Sequence, residues 1–241
     1  LSCEVILLAT PDSAVRGVAE ELARIGAEEL RGKIVLHTSG ALDASALDAV
    51  RRFGAAAGSM HPLQSFSGIG VPQLEGRTFA IEGDPSALRM ARQIARALGG
   101  AAVPVDGGKK PRYHAAAAMA AGHVLAVVEA ATRLLISIGM NRREAVRALL
   151  PLTRQVLQNF ERLGPRAAWT GPLARGDYEI LEAHTQALRN APKEFSEAYE
   201  AVNRLAALLL AQDPAGTLTE LNEISGNKSV KARAKAAGGN A

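Results

Sequence analysis

The sequence predicts an α/β domain built on a mostly parallel sheet, followed by an all-helical domain. Three observations point there. Short runs of Val, Ile and Leu alternate with amphipathic stretches through roughly the first hundred residues, the pattern of strand–helix–strand units. After Asp106 no further strand-like run occurs, and the later segments repeat their apolar residues at helical spacing. The breaks between those segments fall at Gly164-Pro165, Gly171-Pro172 and Ala191-Pro192, pairs that interrupt helices. The domain boundaries read as 1–106 for the α/β part, 107–225 for the helical part and 226–241 for a basic, flexible tail.

Residues 3–9 form a continuous apolar run, which reads as a strand buried on both faces. Asp12 or Ser13 is placed to cap the helix that follows, whose Val15, Val18, Leu22 and Ile25 share one side. Residues 33–37 read as a second strand and 45–53 as a short helix. Residues 55–60 and 77–82 read as two more strands. The helix at 86–98 stops at Gly99-Gly100, and 101–105 is the last strand. Residues 112–138 then read as one long helix, apolar nearly all round and crowded with Ala, which is the pattern of a buried central helix. Helices at 142–163, 178–190 and 193–211 follow.

Composition narrows the function classes. The 241 residues are 48% hydrophobic and 22% charged, enough to bury a core. The net charge of +4 resides in the tail, at Lys228, Lys231, Arg233 and Lys235; without them basic and acidic residues balance at 24 each. Aromatics make up only 4%, too few for base-stacking platforms, so no nucleic-acid partner is expected. The most apolar stretch, residues 115–128, is interrupted by His123 and falls short of the roughly 20 residues a spanning helix needs, so no membrane partner is expected either. The single Cys3 excludes an internal disulfide framework and points to a reducing, cytoplasmic setting. The chain opens Leu1-Ser2-Cys3-Glu4 without an initiator Met, which reads as a removed start or a fragment.

Ligands of open parallel sheets bind beyond the carboxyl ends of the strands. Three such ends carry polar clusters: Thr10-Pro11-Asp12, His37-Thr38-Ser39-Gly40, and Ser59-Met60-His61-Pro62 with Gln64 behind it. These residues either line a ligand site or cap the next helix. Lys110 and His114, four apart, share one side of the long helix's first turn, suited to a carboxylate or a developing oxyanion. Arg175, in Thr170-Gly-Pro-Leu-Ala-Arg-Gly-Asp177, either clamps a substrate carboxylate or pairs with Asp177. Trp169 and His184 read as packing residues. His37, His61 and His114 could converge on a metal, but no paired metal-ligand spacing occurs and no metal is expected. Gly-x-Ser-x-Gly, the P-loop and Gly-x-Gly-x-x-Gly are all absent from the sequence.

The motifs HTSGAL (37–42), GSMHPLQSF (58–66), FAIEGD (79–84), KPRYHAAA (110–117) and TGPLARGD (170–177), after the strand ending Ala9-Thr10-Pro11-Asp12, resemble one family. It is the Rossmann-like oxidoreductase family whose C-terminal half is domain of unknown function 2520. The resemblance extends to about His184 and Leu188. The family is in turn similar to pyrroline-5-carboxylate reductases, β-hydroxyacid dehydrogenases and coenzyme-F420-dependent NADP reductases, and it carries a helical domain like that of 6-phosphogluconate dehydrogenase. The resemblance implies a Rossmann-type fold, here without the initial glycine-rich βαβ unit, with NADP or NAD as cofactor and a homodimer formed through the helical domain. By position it implies cofactor contacts from Thr10, Pro11, Asp12, His37, Thr38, Ser39 and Met60. Substrate contacts would come from Ser39, Gly40, Gln64 and Arg175, and catalysis from Lys110, His114 and His61. The activity it implies is reduction of a small 2-oxo acid (ketopantoate-like) or imine, with Lys110 as proton donor. The alternatives are a non-catalytic nucleotide- or ligand-binding protein and a dimeric interaction module.

Overall fold

A computed structural model describes the backbone of residues 2–237 and the side chains of residues 2–225. It contains a five-stranded sheet in sequential order: β1 (Val5–Leu8), β2 (Ile34–His37), β3 (Ala56–Pro62), β4 (Thr78–Gly83) and β5 (Ala101–Pro104). All neighbours run parallel except β3 and β4, so the mostly parallel sheet is present, with one antiparallel pair at its centre. Leu8 pairs with His37 and His37 with Ser59, which sets the carboxyl ends of β1 and β2 level with the middle of β3, whose last residues run on past them to complete the crest. β1 and β2 are short runs of Val, Ile and Leu, as expected of a sheet covered by helices, whereas β3 and β5 are built mostly of small residues.

Helix α1 (Asp12–Gly26) packs Val15, Ala19 and Ala23 into a core with Leu30, Val35 and Val50. Neither Asp12 nor Ser13 caps it; Pro11 is the N-cap, and no side chain closes the end. Between β2 and β3 the chain forms a 3-10 turn and a single α turn, Ala44–Leu47 and Asp48–Arg51, opened by Asp43, whose carboxylate accepts from Ser45 N. Helix α2 (Pro85–Ala97) lays Ala87, Ala91 and Ala95 against Leu36, Phe79 and Ile81. Gly99, at φ +73°, ends the segment as its position after the last helical residue requires.

The reading of residues 3–9 as buried on both faces is corrected. Among the described residues β1 is the outermost strand of the sheet, and Leu7 is 51% exposed. The run looked central because an apolar edge strand and a central strand read alike in sequence.

Residues 112–138 are helical, but in three pieces: α3 (Lys110–Ala118), a π turn (Met119–His123) and α4 (Val124–Ser137). The expected burial is overturned. Leu125, Val127, Ile136 and Ile138 are exposed, and only Lys110 and Thr132 in this stretch are fully covered. The length argument against a span is corrected with it. From Gly107 to Ser137 the helix is long enough to cross a membrane, with mean hydropathy 1.5 over a window only 6% buried.

The chain forms two compact units dividing between Leu125 and Ala126. Secondary structure changes at residue 106, but by packing α3 goes with the sheet. The second unit comprises most of α4, then α5 (Arg142–Leu163), α6 (Tyr178–Ala187), α7 (Lys193–Leu210) and α8 (Pro214–Ala237), with single turns at Pro165–Ala168 and Pro172–Arg175. Asn141 and Glu144 form a reciprocal capping box at the start of α5. Leu173, Leu181, Ala207 and Leu221 form its small core, with Trp169 packed against it as expected. His184 receives or gives one hydrogen bond, at 2.8 Å from the Tyr199 hydroxyl. The last helix was not predicted. The flexible tail expected from residue 226 falls on positions whose side chains, and from 238 whose backbone, lie outside the described residues.

Candidate functional site

The site is built where the crest of β1–β3 meets the first turns of α3. Lys110 opens α3 and points into the protein: it is 1% exposed, and its Nζ donates to Ser39 O at 2.9 Å and to Ser59 Oγ at 2.6 Å. The Ser59 hydroxyl in turn donates to Glu82 Oε2 at 3.4 Å, and the same oxygen accepts from Ala44 N at 2.7 Å. Burial lowers the Lys110 pKa to about 8, against the opposing pull of Glu82, Asp43 and Asp12. Burial likewise raises Glu82 above the ordinary carboxylate range. Sequence reasoning missed Ser59 and Glu82 as partners of Lys110. The available signal was a carboxylate inside an apolar strand, directly before the glycine that ends it.

His37 is fully buried and commits both ring nitrogens to the turn after β2. Nδ1 accepts from Ser39 N at 3.2 Å, so Nε2 carries the proton and donates to Asp43 O at 3.1 Å. Burial lowers its pKa to about 4, and the ring is neutral. Ser39 is spent similarly: its Oγ accepts from Ala41 N and Leu42 N, and it is 4% exposed. Met60 packs in the core with Phe79 and Ile81. His37, Ser39 and Met60 therefore shape the crest from beneath. Their side chains are engaged within the protein, which leaves the backbone of the crest to face a ligand.

Above them lies a cavity of about 580 Å³ in the first unit. His61, Gln64, Tyr113 and His114 are among its lining residues. His61 Nδ1 lies 2.8 Å from the Tyr113 hydroxyl, and the His61 ring meets His114 edge-on at 5.7 Å between centroids. Burial lowers the His61 pKa to about 4. Both imidazoles press on Gly40: a Cβ there would stand 2.5 Å from His114 Cδ2 and 2.9 Å from His61 Nε2. That close approach is why the turn needs glycine. Gln64 borders the cavity with its amide already bonded to Gln73 O and Ser65 N. Tyr113 was overlooked in the sequence, although it sits between the two positions singled out on this helix.

The cofactor positions divide. Thr10 Oγ1, just past β1, is a buried oxygen without a hydrogen-bond partner among the described residues. Such an atom fits a ligand hydroxyl or amide. Asp12, exposed in the first turn of α1, opposes phosphate at that helix end but suits ribose hydroxyls. Thr38 is half-buried, and its N–H donates to Leu8 O, tying β2 to β1. The residues present thus fit the sugar part of a dinucleotide better than its phosphates. Arg175 belongs to the second unit, where its Nε donates to Asp177 at 2.8 Å, the surface pairing that was its other reading. No group of three or more His, Cys, Asp or Glu placed to hold a metal occurs among the described residues, and the three histidines do not form one.

Comparison with known proteins places this geometry. Over 94% of the chain, and 80% of the other, the fold matches the protein TM1727 of Thermotoga maritima with a TM-score of 0.68 at 22% identity. A reductive aminase from Aspergillus terreus, solved with NADPH and ethyl-5-oxohexanoate, matches 85% of this chain and 74% of its own, with a TM-score of 0.60 at 18% identity. The pyrroline carboxylate reductase of Plasmodium falciparum, solved with NADP, matches 83% and 78%, with a TM-score of 0.54 at 14% identity. At such identities the likeness is one of fold. No curated protein matches in sequence. Residues 1–62 match the Rossmann-like domain, and residues 77–206, more than half of the chain, match the family described as domain of unknown function DUF2520. The chain belongs to the DUF2520 family, joined to a Rossmann-like domain.

Proposed function

We propose that this protein is an NAD(P)-dependent reductase of a carbonyl or imine, and that the proton comes from His114. The observation that carries the reading is the cavity at the carboxyl ends of the parallel strands, walled by His61, Tyr113 and His114. His114 makes no hydrogen bond among the described residues, so its ring nitrogens are free for a substrate oxygen or nitrogen. The nucleotide, when bound, supplies the hydride; NADP is the form carried by two of the neighbours named above. Thr10, Asp12 and Thr38 would hold its sugar. The direct donation expected of Lys110 would require it to leave two hydrogen bonds and a buried position. We assign it instead to positioning the Ser39–Gly40 turn on which both imidazoles rest.

The test measures NADPH oxidation by the full chain against a panel of carbonyl and imine compounds, with NADPH binding followed separately by its fluorescence. Turnover that falls at least about a hundredfold in His114→Ala, with cofactor binding retained, is expected of a general acid. Binding of NADPH without turnover of any compound would leave the ligand-binding alternative standing.

The exposed apolar helix faces support a second part of the reading, a homodimer. On α5, Leu152, Val156, Phe160 and Leu163 form an exposed stripe at helical spacing, beyond the scatter of single apolar residues ordinary on a surface. Glu129 on α4 accepts from both Arg133 and Arg142, an ion triad that a lipid interior would disfavour, so a second protein surface suits this face better than a membrane. Light scattering is expected to give a dimer in detergent-free buffer, and the paired change Val156→Glu with Phe160→Glu a monomer. Co-flotation of the chain with lipid vesicles would overturn this part.

A further inference from the structure

The cavity's lining is chemically one-sided. Its polar lining comes from His61, Gln64, Ser65, Tyr113 and His114, of which the Gln64 amide is already bonded within its own loop, and five alanines of α3 and the π turn with Leu63 form the apolar wall. Among the described residues, no Lys, Arg, Asp or Glu lines it. The ammonium of Lys110 is no substitute, because it is 1% exposed, bonded to Ser39 O and Ser59 Oγ, and offset by Glu82. A carboxylate placed against such a wall loses hydration with no cation to replace it. An apolar body gains there, in a volume within the usual range for small-molecule sites.

We infer that the cavity takes an uncharged carbonyl or imine compound with an apolar body, and that it discriminates against 2-oxo acids. This rests on the reductase reading for the reacting group but on the lining alone for the selectivity. Of the two substrate types suggested by the sequence, the ketopantoate-like acid is then the disfavoured one. The apolar body lies along Ala117 and Ala121, one and two turns beyond Tyr113 on the same side of the helix. The carbonyl or imine points back to the imidazoles.

A matched pair of ligands tests this without cofactor: benzylacetone and 2-oxo-4-phenylbutanoate share the ketone and the phenylethyl group and differ in the carboxylate. Each is titrated into the full chain at pH 8, and binding is read from the amide resonances of residues 113–121. Benzylacetone is expected to bind at least about tenfold more tightly. Equal or tighter binding of the oxo acid, or binding of neither, overturns the inference. Ala117→Arg supplies the missing cation and is expected to narrow or reverse the preference; an unchanged ratio would also overturn it. The two readings fail separately. If NADPH is oxidised faster with the oxo acid, the selectivity falls and the reductase stands. If the ketone binds selectively yet no compound is reduced, the reductase falls and the selectivity stands.

Discussion

The two compact units differ in what they bury. The sheet unit covers His37, Ser39, Ser59 and Lys110, and each finds partners inside the unit. The described part of the helical unit buries few large side chains and leaves Leu152, Val156, Leu157, Phe160 and Leu209 exposed. Buried polar groups cost stability unless they are hydrogen-bonded, and a network of them with shifted pKa values beside a cavity is a common mark of a functional site, so the sheet unit is where chemistry is expected. Apolar helix faces left open are expensive unless another surface covers them, so the helical unit is where association is expected.

The largest effect that could break this contrast is at Lys110. Lys110→Met removes the only described donor to Ser39 O and leaves Ser59 and Glu82 without their cation, which should destabilise the sheet unit by about 3 kcal/mol. Urea unfolding followed by circular dichroism measures this. Trp169, the sole tryptophan, lies in the helical unit, so its fluorescence shows whether that unit shifts as well. A change below about 1 kcal/mol would remove the network from the account.

Next comes acid. His37 has a folded pKa near 4 against 6.5 in the unfolded chain. Between those values the unfolded chain binds the proton and the folded chain does not, so stability falls as pH drops from 6.5 towards 4. His61 acts in the same direction, less strongly because it is half-exposed. The urea midpoint at pH 4.5 should therefore reflect a loss of about 2–3 kcal/mol relative to pH 7. A sheet unit equally stable at both would mean that His37 is not held neutral.

Gly40→Ala is expected to cost about 1–3 kcal/mol and to displace both imidazoles, which would be seen as changed His61 and His114 ring resonances. Unmoved rings would show that the turn has slack. The smallest effect belongs to the second unit: Arg175→Gln breaks an exposed pair with Asp177 and should change stability by at most about 0.5 kcal/mol. Loss of cofactor or ketone binding in that variant would restore Arg175 to the site and blur the contrast.

The fold was largely legible because periodicity and punctuation are local. α5 appears with the bounds its pattern predicts, since Asn141 and Glu144 cap one end and Gly164 closes the other. The site was legible in part. The strand-end clusters and Lys110 were visible as residues, but Ser59 lies 51 positions from Lys110 and His61 lies 52 from Tyr113. No local pattern reports partners that distant. The side chains of His37, Ser39 and Met60 are engaged inside the crest, a role that no local pattern announces.

By itself, then, the sequence determined all five strands and most of the helices, though not the last one, together with the order of the two kinds of unit and the family. All of these follow from residue types at fixed spacing along the chain. Only the tertiary structure decided which apolar segments are covered. β1 and α4 have the composition of core elements and the exposure of surface ones, because burial belongs to the neighbours an element meets and not to its own residues. The same holds for charge. Lys110, read from the sequence as a cation presented to a ligand, becomes on folding a buried tie between helix and sheet.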